Sequence, residues 1–162
     1  MVNIKISNIL LFFIIISLGF LIGFVFSNKD ILLSDSISVT EKPSPYNHVP
    51  EKDIIVASDR VIIKVNDPRW ATFVDSNSMD PVFDIGANTI QIMPNNTKDV
   101  HVGDIISYKS KYAEGTIIHR VVDIGEDNDG WYAQLKGDNN LLKDPGKVRF
   151  SQIRSLTIAI VY

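Results

Sequence analysis

The chain is 162 residues long, with 16 Lys and Arg against 19 Asp and Glu and a net charge of -3, which leaves room for one modest domain and excludes two large ones. The slight acidic surplus argues against a phosphate-backbone binder, so nucleic acid is not an expected partner. Because there is no cysteine, a disulfide framework, a thiolate metal site and a cysteine nucleophile are all excluded.

Ile6 to Ser27 carries no charge and is bounded by Lys5 on one side and Lys29 and Asp30 on the other. At 1.5 Å per residue a run of this kind makes a helix of roughly 33 Å, enough to cross a hydrocarbon core of about 30 Å. A cleaved secretory signal would have a shorter apolar stretch of about 7 to 15 residues ending at a small-x-small site, and no such site stands at the right place. Residues 1–29 are therefore expected to be a cytoplasmic tip and a single transmembrane anchor, with membrane lipid as a partner. Charge does not decide the orientation, since Lys5 and the amino terminus face Lys29 and Lys42 across the span.

Residues 30–53 mix Ser, Thr, charge and three prolines, Pro43, Pro45 and Pro50, which prevent a continuous helix. This segment reads as a stalk. Beyond it, residues 54–162 hold short β-branched runs at Ile54, Val61, Trp70, Asn88, Ile105, Thr116, Trp131 and Leu156, with no sustained helical spacing. Asn66-Asp67-Pro68, Asn95-Asn96-Thr97 and Asp127-Asn128-Asp129-Gly130 mark turns between them, and Asp129-Gly130 is expected to close a hairpin. The pattern predicts an all-β barrel or sandwich, without internal repeats.

Three segments place reactive side chains within or beside such runs. Asp75-Ser76-Asn77-Ser78-Met79-Asp80-Pro81 follows the run from Trp70 to Val74 and can present a serine oxygen beside a strand edge, although serines in that context also make ordinary turns. In Ile117-Ile118-His119-Arg120-Val121-Val122, alternation puts His119 and Arg120 on opposite faces, so one of them shares a face with aliphatic residues and needs a partner. His119 suits proton transfer near neutral pH, and a satisfied structural histidine is its plainer reading. His48 falls in the stalk and His101 in a polar loop, so neither competes as a base. The third segment, Lys136 to Pro145, holds Asp138 and Asp144 six positions apart. It lacks the alternating acids and terminal Glu of a calcium loop, so no metal and no cofactor is expected. Its acids could instead fix the tautomer of a histidine base.

Ser76-Asn77-Ser78-Met79-Asp80-Pro81, Gly103-Asp104-Ile105-Ile106, Ile118-His119-Arg120-Val121 and Lys136-Gly137-Asp138-Asn139-Asn140 occur in that order, and together they resemble a type I signal peptidase. The resemblance runs from about Trp70 to Pro145. Bacterial members have a lysine base where this chain has His119, so it resembles the archaeal and endoplasmic-reticulum branch with a Ser/His/Asp site. On that resemblance Ser78 is the nucleophile, His119 its base and Asp144 the third member of the triad, while Asp138 supports the site by charge and hydrogen bonding. Ser76, with the Ser78 backbone N–H, would line the oxyanion hole. An extended substrate would lie along Val74, Asp75, Ser76 and Asn77. Two departures from the family pattern stand out: Asn77 replaces a glycine between the two serines, and Gly86-Ala87 stands where an acid usually follows the glycine.

The resemblance implies a membrane-anchored serine endopeptidase that cleaves signal peptides from exported preproteins. It also implies a catalytic domain on the extracytoplasmic side of a single-pass anchor, contacts with secretion machinery, and small substrate side chains one and three positions before the cut. The competing readings are a catalytically silent anchored β-domain that binds extended peptides by strand addition, and a self-cleaving regulator with a Ser/Lys pair. The apolar anchor and His119 argue against the regulator, and a pure binder has no use for Ser78, His119 and Asp144 together.

Overall fold

The computed structural model describes residues 41–162 and the single position 16. Apart from that position, the expected anchor Ile6–Ser27 lies outside the described residues, as does the first part of the expected stalk. Among the described residues no helix is long and apolar enough to cross a membrane.

Eight strands form, each overlapping one of the runs expected from sequence: β1 (Ile54–Val56), β2 (Val61–Ile63), β3 (Arg69–Thr72), β4 (Asn88–Ile92), β5 (Ile105–Tyr108), β6 (Ile117–Asp127), β7 (Gly130–Lys136) and β8 (Ile153–Val161). β1 and β2 make a separate two-stranded ribbon, and the other six form one antiparallel sheet in the order β3-β4-β8-β5-β6-β7. β3 ends at Thr72, two residues short of the expected run, because its ladder with β4 stops at the Thr72–Asn88 pair. The β6–β7 hairpin closes through Asn128-Asp129, with Gly130 at φ 93° as the first residue of the returning strand.

The sheet is covered on both faces. β5 is buried throughout, with Ile106 and Tyr108 in a core that includes Val121, Leu135, Ile153 and Leu156, while Ile105 belongs to a second cluster with Met79, Phe83 and Ala87. Neighbours on a strand point to opposite faces, so one four-residue strand serves both clusters. The segment Met79–Ala87 thus acts as a lid on the second face, and its buried anchor Met79 is the residue next to Ser78.

Lys42–Tyr162 is one compact unit, and the last part of the expected stalk packs within it. Tyr46 N–H donates to Asp104 Oδ1 at 3.0 Å, His48 Nε2 lies 3.0 Å from the same oxygen, and the Pro43 carbonyl accepts from Arg120 Nη1 at 3.1 Å. The stalk reading therefore does not describe these residues. The prolines exclude a helix but leave the backbone free to lie extended against the loop before β5. Gly103 makes this contact possible: a Cβ there would stand 2.0 Å from the Ser44 carbonyl oxygen, and its φ of 103° also favours glycine. Burial alone would raise the Asp104 carboxyl, but hydrogen bonds from His48 and from the backbone of His101 and Tyr46 outweigh it and hold it below its ordinary value.

Candidate active site

β6 carries the two central polar residues. Its register pairs His119 with Ile106 and Arg120 with Ile105, so the two side chains lie on opposite faces. Sequence reasoning expected one of them to need a partner; both are buried and both have one. His119 Nδ1 lies 2.6 Å from Asp144 Oδ2, while Arg120 donates from Nε and Nη2 to the two oxygens of Asp138 at 2.8 and 2.6 Å. Asp138 is thus committed to Arg120 and does not close its own turn. The turn is held instead by the Asn140 N–H donating to the Gly137 carbonyl at 3.0 Å, and the carboxylate is left for Arg120.

Both acids come from the segment after β7. The β6–β7 ladder ends at the Arg120–Lys136 pair, which leaves Ile117 to His119 without a β7 partner. Beyond it, the chain folds back along β7, with Asp144 N–H donating to the Leu135 carbonyl at 2.8 Å and Val148 bridging Ala133. Gln134 Nε2 donates to the Asp144 carbonyl at 2.7 Å, so Asp144 is fixed at both ends of its backbone. Its carboxylate also accepts from Tyr108 Oη at 2.8 Å, on the oxygen that faces His119. Burial pushes the Tyr108 phenol well above its ordinary value, and the bond to Asp144 adds to the effect, so Tyr108 stays protonated and acts as a donor.

The serine loop is ordered by contacts that sequence reasoning did not find. Asp84 Oδ1 accepts from the backbone N–H of Ser76 and of Asn77, both at 3.3 Å. Asn139 binds the same loop twice: its N–H donates to the Ser78 carbonyl at 2.9 Å and its Nδ2 to the Asn77 carbonyl at 3.0 Å. Gly137 permits this approach, since a Cβ there would lie 2.6 Å from the Ser78 carbonyl oxygen. Asn77 has φ 54°, a left-handed conformation that glycine adopts freely and asparagine tolerates better than most residues. This accounts for the departure from the family pattern: the backbone demands a positive φ, and asparagine is the nearest substitute for glycine.

Ser78 and His119 line one cavity of about 370 Å³, together with Thr72, Phe73, Val74, Ser76, Asp84 and the β6 residues Ile117 and Ile118. Ser78 Oγ lies 3.2 Å from Ser76 Oγ, and the Ser78 N–H donates to Ser76 Oγ at 3.5 Å. Among the described residues no hydrogen bond joins Ser78 to His119. Asp75 and Asn77 are exposed, with Asn77 Nδ2 reaching Asp75 Oδ1 at 3.5 Å, and Val74 is 79% exposed at the cavity rim. The structure thus brings Ser76, Ser78 and His119 together around one opening, with Asp144 bonded to His119 and Asp138 to Arg120 on the other face of β6.

A serine and a histidine on one open cleft, with a carboxylate on the histidine, are groups that hydrolytic chemistry can use. The similar proteins also suggest a hydrolase. Over 80 residues the chain is 31% identical to signal peptidase I W of Bacillus subtilis, covering 49% of this chain and 42% of that protein. Over 89 residues it is 34% identical to the signal peptidase complex catalytic subunit SEC11 of Clavispora lusitaniae, covering 55% of this chain and 52% of that one. These matches support a type I signal peptidase-like relationship, and the chain spans about half the length of the curated relatives it matches. No protein-family model and no solved structure matches it.

Proposed function

We propose that the protein is a membrane-anchored serine endopeptidase that cleaves signal peptides from exported preproteins. The observation that carries this reading is the 2.6 Å contact of His119 Nδ1 with Asp144, at the wall of the cavity that Ser76 and Ser78 also line. With Nδ1 bound to the carboxylate, His119 keeps Nε2 for the serine. Ser78 Oγ gives its proton to Nε2 as it attacks the scissile carbonyl, and the imidazolium is stabilised by Asp144. The Ser76 hydroxyl and the Ser78 N–H are the donors for the developing oxyanion. The imidazolium then protonates the leaving amine, and a water deprotonated by His119 releases the acyl group from Ser78. Alignment of Ser78 with His119 belongs to the substrate complex, since Ser78 Oγ otherwise pairs with Ser76.

The substrate lies extended between the segment Thr72 to Asn77 and the open edge at Thr116 to Ile118, so that alternate side chains enter the cavity. Its limited volume suits small side chains at the first and third positions before the cut. The apolar run Ile6 to Ser27 is the anchor, and the peptidase domain faces the extracytoplasmic side, where exported chains emerge. The catalytically silent peptide-binding domain remains as a second reading, supported by the position of β3 at the outer edge of the sheet with Trp70 70% exposed.

One experiment separates the two. Ser78→Ala in the purified full chain should abolish preprotein cleavage while leaving the melting temperature and peptide binding in place. Full activity in that variant would overturn the serine-peptidase reading. Binding without cleavage by the unaltered protein would favour the silent domain.

A further inference from the structure

His48, His101 and Asp104 lie outside the Ser78–His119 cavity, and the reaction proposed above does not use them. They come from two separate stretches of chain, His48 from the segment packed on the sheet and the other two from the loop before β5. Each offers one ligand atom, and the three atoms lie within 4.8 Å of one another. We propose that His48, His101 and Asp104 form a binding site for a divalent transition metal of the Zn²⁺ type, which fastens the Pro43–Val49 segment to the β5 loop.

Four observations carry the proposal. First, His101 Nδ1 is buried and has no hydrogen-bond partner, a condition that native structures rarely leave uncorrected. A metal bond would satisfy that nitrogen. Second, the candidate ligand atoms are close together: His48 Nε2 lies 3.0 Å from Asp104 Oδ1 and His101 Nδ1 lies 3.7 Å from the other oxygen, Oδ2, and one ligand atom from each residue lies within 4.8 Å of the others. Third, the carboxylate is fixed in place by donors that are not ligands. Asp104 is fully buried, and the N–H groups of Tyr46 and His101 donate to its two oxygens at 3.0 and 2.7 Å. Fourth, a cavity of about 370 Å³ borders both imidazoles and Tyr46, giving an entry path and room for a water as fourth ligand.

Two imidazoles and one carboxylate select zinc-like ions over calcium or magnesium, which prefer all-oxygen shells. Binding exchanges the His48–Asp104 hydrogen bond for two metal bonds, with the His48 ring proton carried on Nδ1. The Tyr46 ring, stacked on His101 with centroids 4.0 Å apart, holds that imidazole while the ion enters.

The test is titration of the purified, chelator-treated full chain in detergent with Zn²⁺ alone and with Co²⁺ alone. The expected result is one saturable equivalent, a melting temperature that rises with free Zn²⁺, and visible Co²⁺ absorption of tetrahedral type. Asp104 is too buried for its replacement to be informative, so the two histidines carry the test. His101→Gln and His48→Gln should each weaken binding at least tenfold, by the loss of one ligand in three, while His119→Gln leaves it unchanged. No saturable binding by the unaltered protein would overturn the site, as would binding that survives both histidine changes or is lost with His119→Gln. None of these readouts depends on peptidase activity.

Discussion

Adjacent residues of β6, His119 and Arg120, each hold a buried carboxylate partner, yet the two pairs differ in what the cation is left free to do. Arg120 and Asp138, with side chains 6% and 3% exposed, form a closed bidentate pair whose remaining Arg120 donor reaches the Gly103 and Pro43 carbonyls at 2.9 and 3.1 Å. His119 and Asp144 are almost as buried, at 9% each, but His119 lines a cavity that Ser78 also lines. Arginine keeps its proton under all ordinary conditions, and a fork-to-fork pair leaves it nothing further to do, so that face of the strand is structural. With Nδ1 on Asp144, the His119 imidazole keeps a second ring nitrogen that makes no hydrogen bond among the described residues, so the other face can do chemistry. Depth of burial does not separate the two roles. The deciding features are the type of cation and whether one of its polar atoms remains uncommitted.

Substitutions can break this contrast. The largest expected effect is that of Asp144→Asn: turnover falls on the order of 10³- to 10⁴-fold, as loss of a triad carboxylate does elsewhere, with little change in melting temperature. Steady-state cleavage of a preprotein, run beside a thermal melt, checks both halves. Asp138→Asn should behave in the opposite sense. It strands the Arg120 charge in a buried site, costs about 3 to 5 kcal/mol of stability, and lowers activity only as far as folded protein is lost. A denaturant titration with activity normalised to folded protein measures it, and an Asp138→Asn protein of full stability would erase the contrast.

Tyr108→Phe sharpens the comparison from within the reactive pair. Without the Tyr108 donor, the Asp144 carboxylate loses one of the two hydrogen bonds that hold it toward His119. kcat should fall about tenfold for the loss of one hydrogen bond to a charged group, with KM little changed. An unchanged kcat would make Tyr108 a packing residue only.

The smallest effect belongs to a three-residue cluster on the surface. Arg149 and Lys147 hold the Asp127 carboxyl well below its ordinary value through hydrogen bonds. A depressed carboxyl contributes stability above its unfolded value of about 3.9, and that contribution is lost as pH falls through its lower folded value. Screening makes it slight. Asp127→Asn should lower the melting temperature slightly at neutral pH, where the contribution is fully present, with the difference from the unaltered protein shrinking as pH falls.

The sequence by itself determined the strands. Their β-branched runs alternate or lie wholly apolar between turn residues, and each such run needs only its neighbours to declare itself. It also determined which residue types could act: one histidine among aliphatics, serines before Met-Asp-Pro, and two acids after β7. Residue chemistry alone did not decide which acid meets which cation; the resemblance pointed to Asp144 for His119, and the tertiary structure puts Asp144 on His119 and Asp138 on Arg120. Asp138 and Asp144 lie in one short segment of similar composition, and their destinations depend on where the β6–β7 ladder stops and how the chain folds back along β7. The same holds for Tyr108, which meets Asp144 from 36 positions away and carries no local mark of doing so. His48 is the clearest case. Among prolines and serines it reads as part of an open stalk, and its buried place beside Asp104, 56 residues away, arises because Gly103 lets one backbone lie against another. Periodicity records which face of a strand is buried, but not which distant side chain arrives there, since that depends on contacts that form only when the whole sheet has closed.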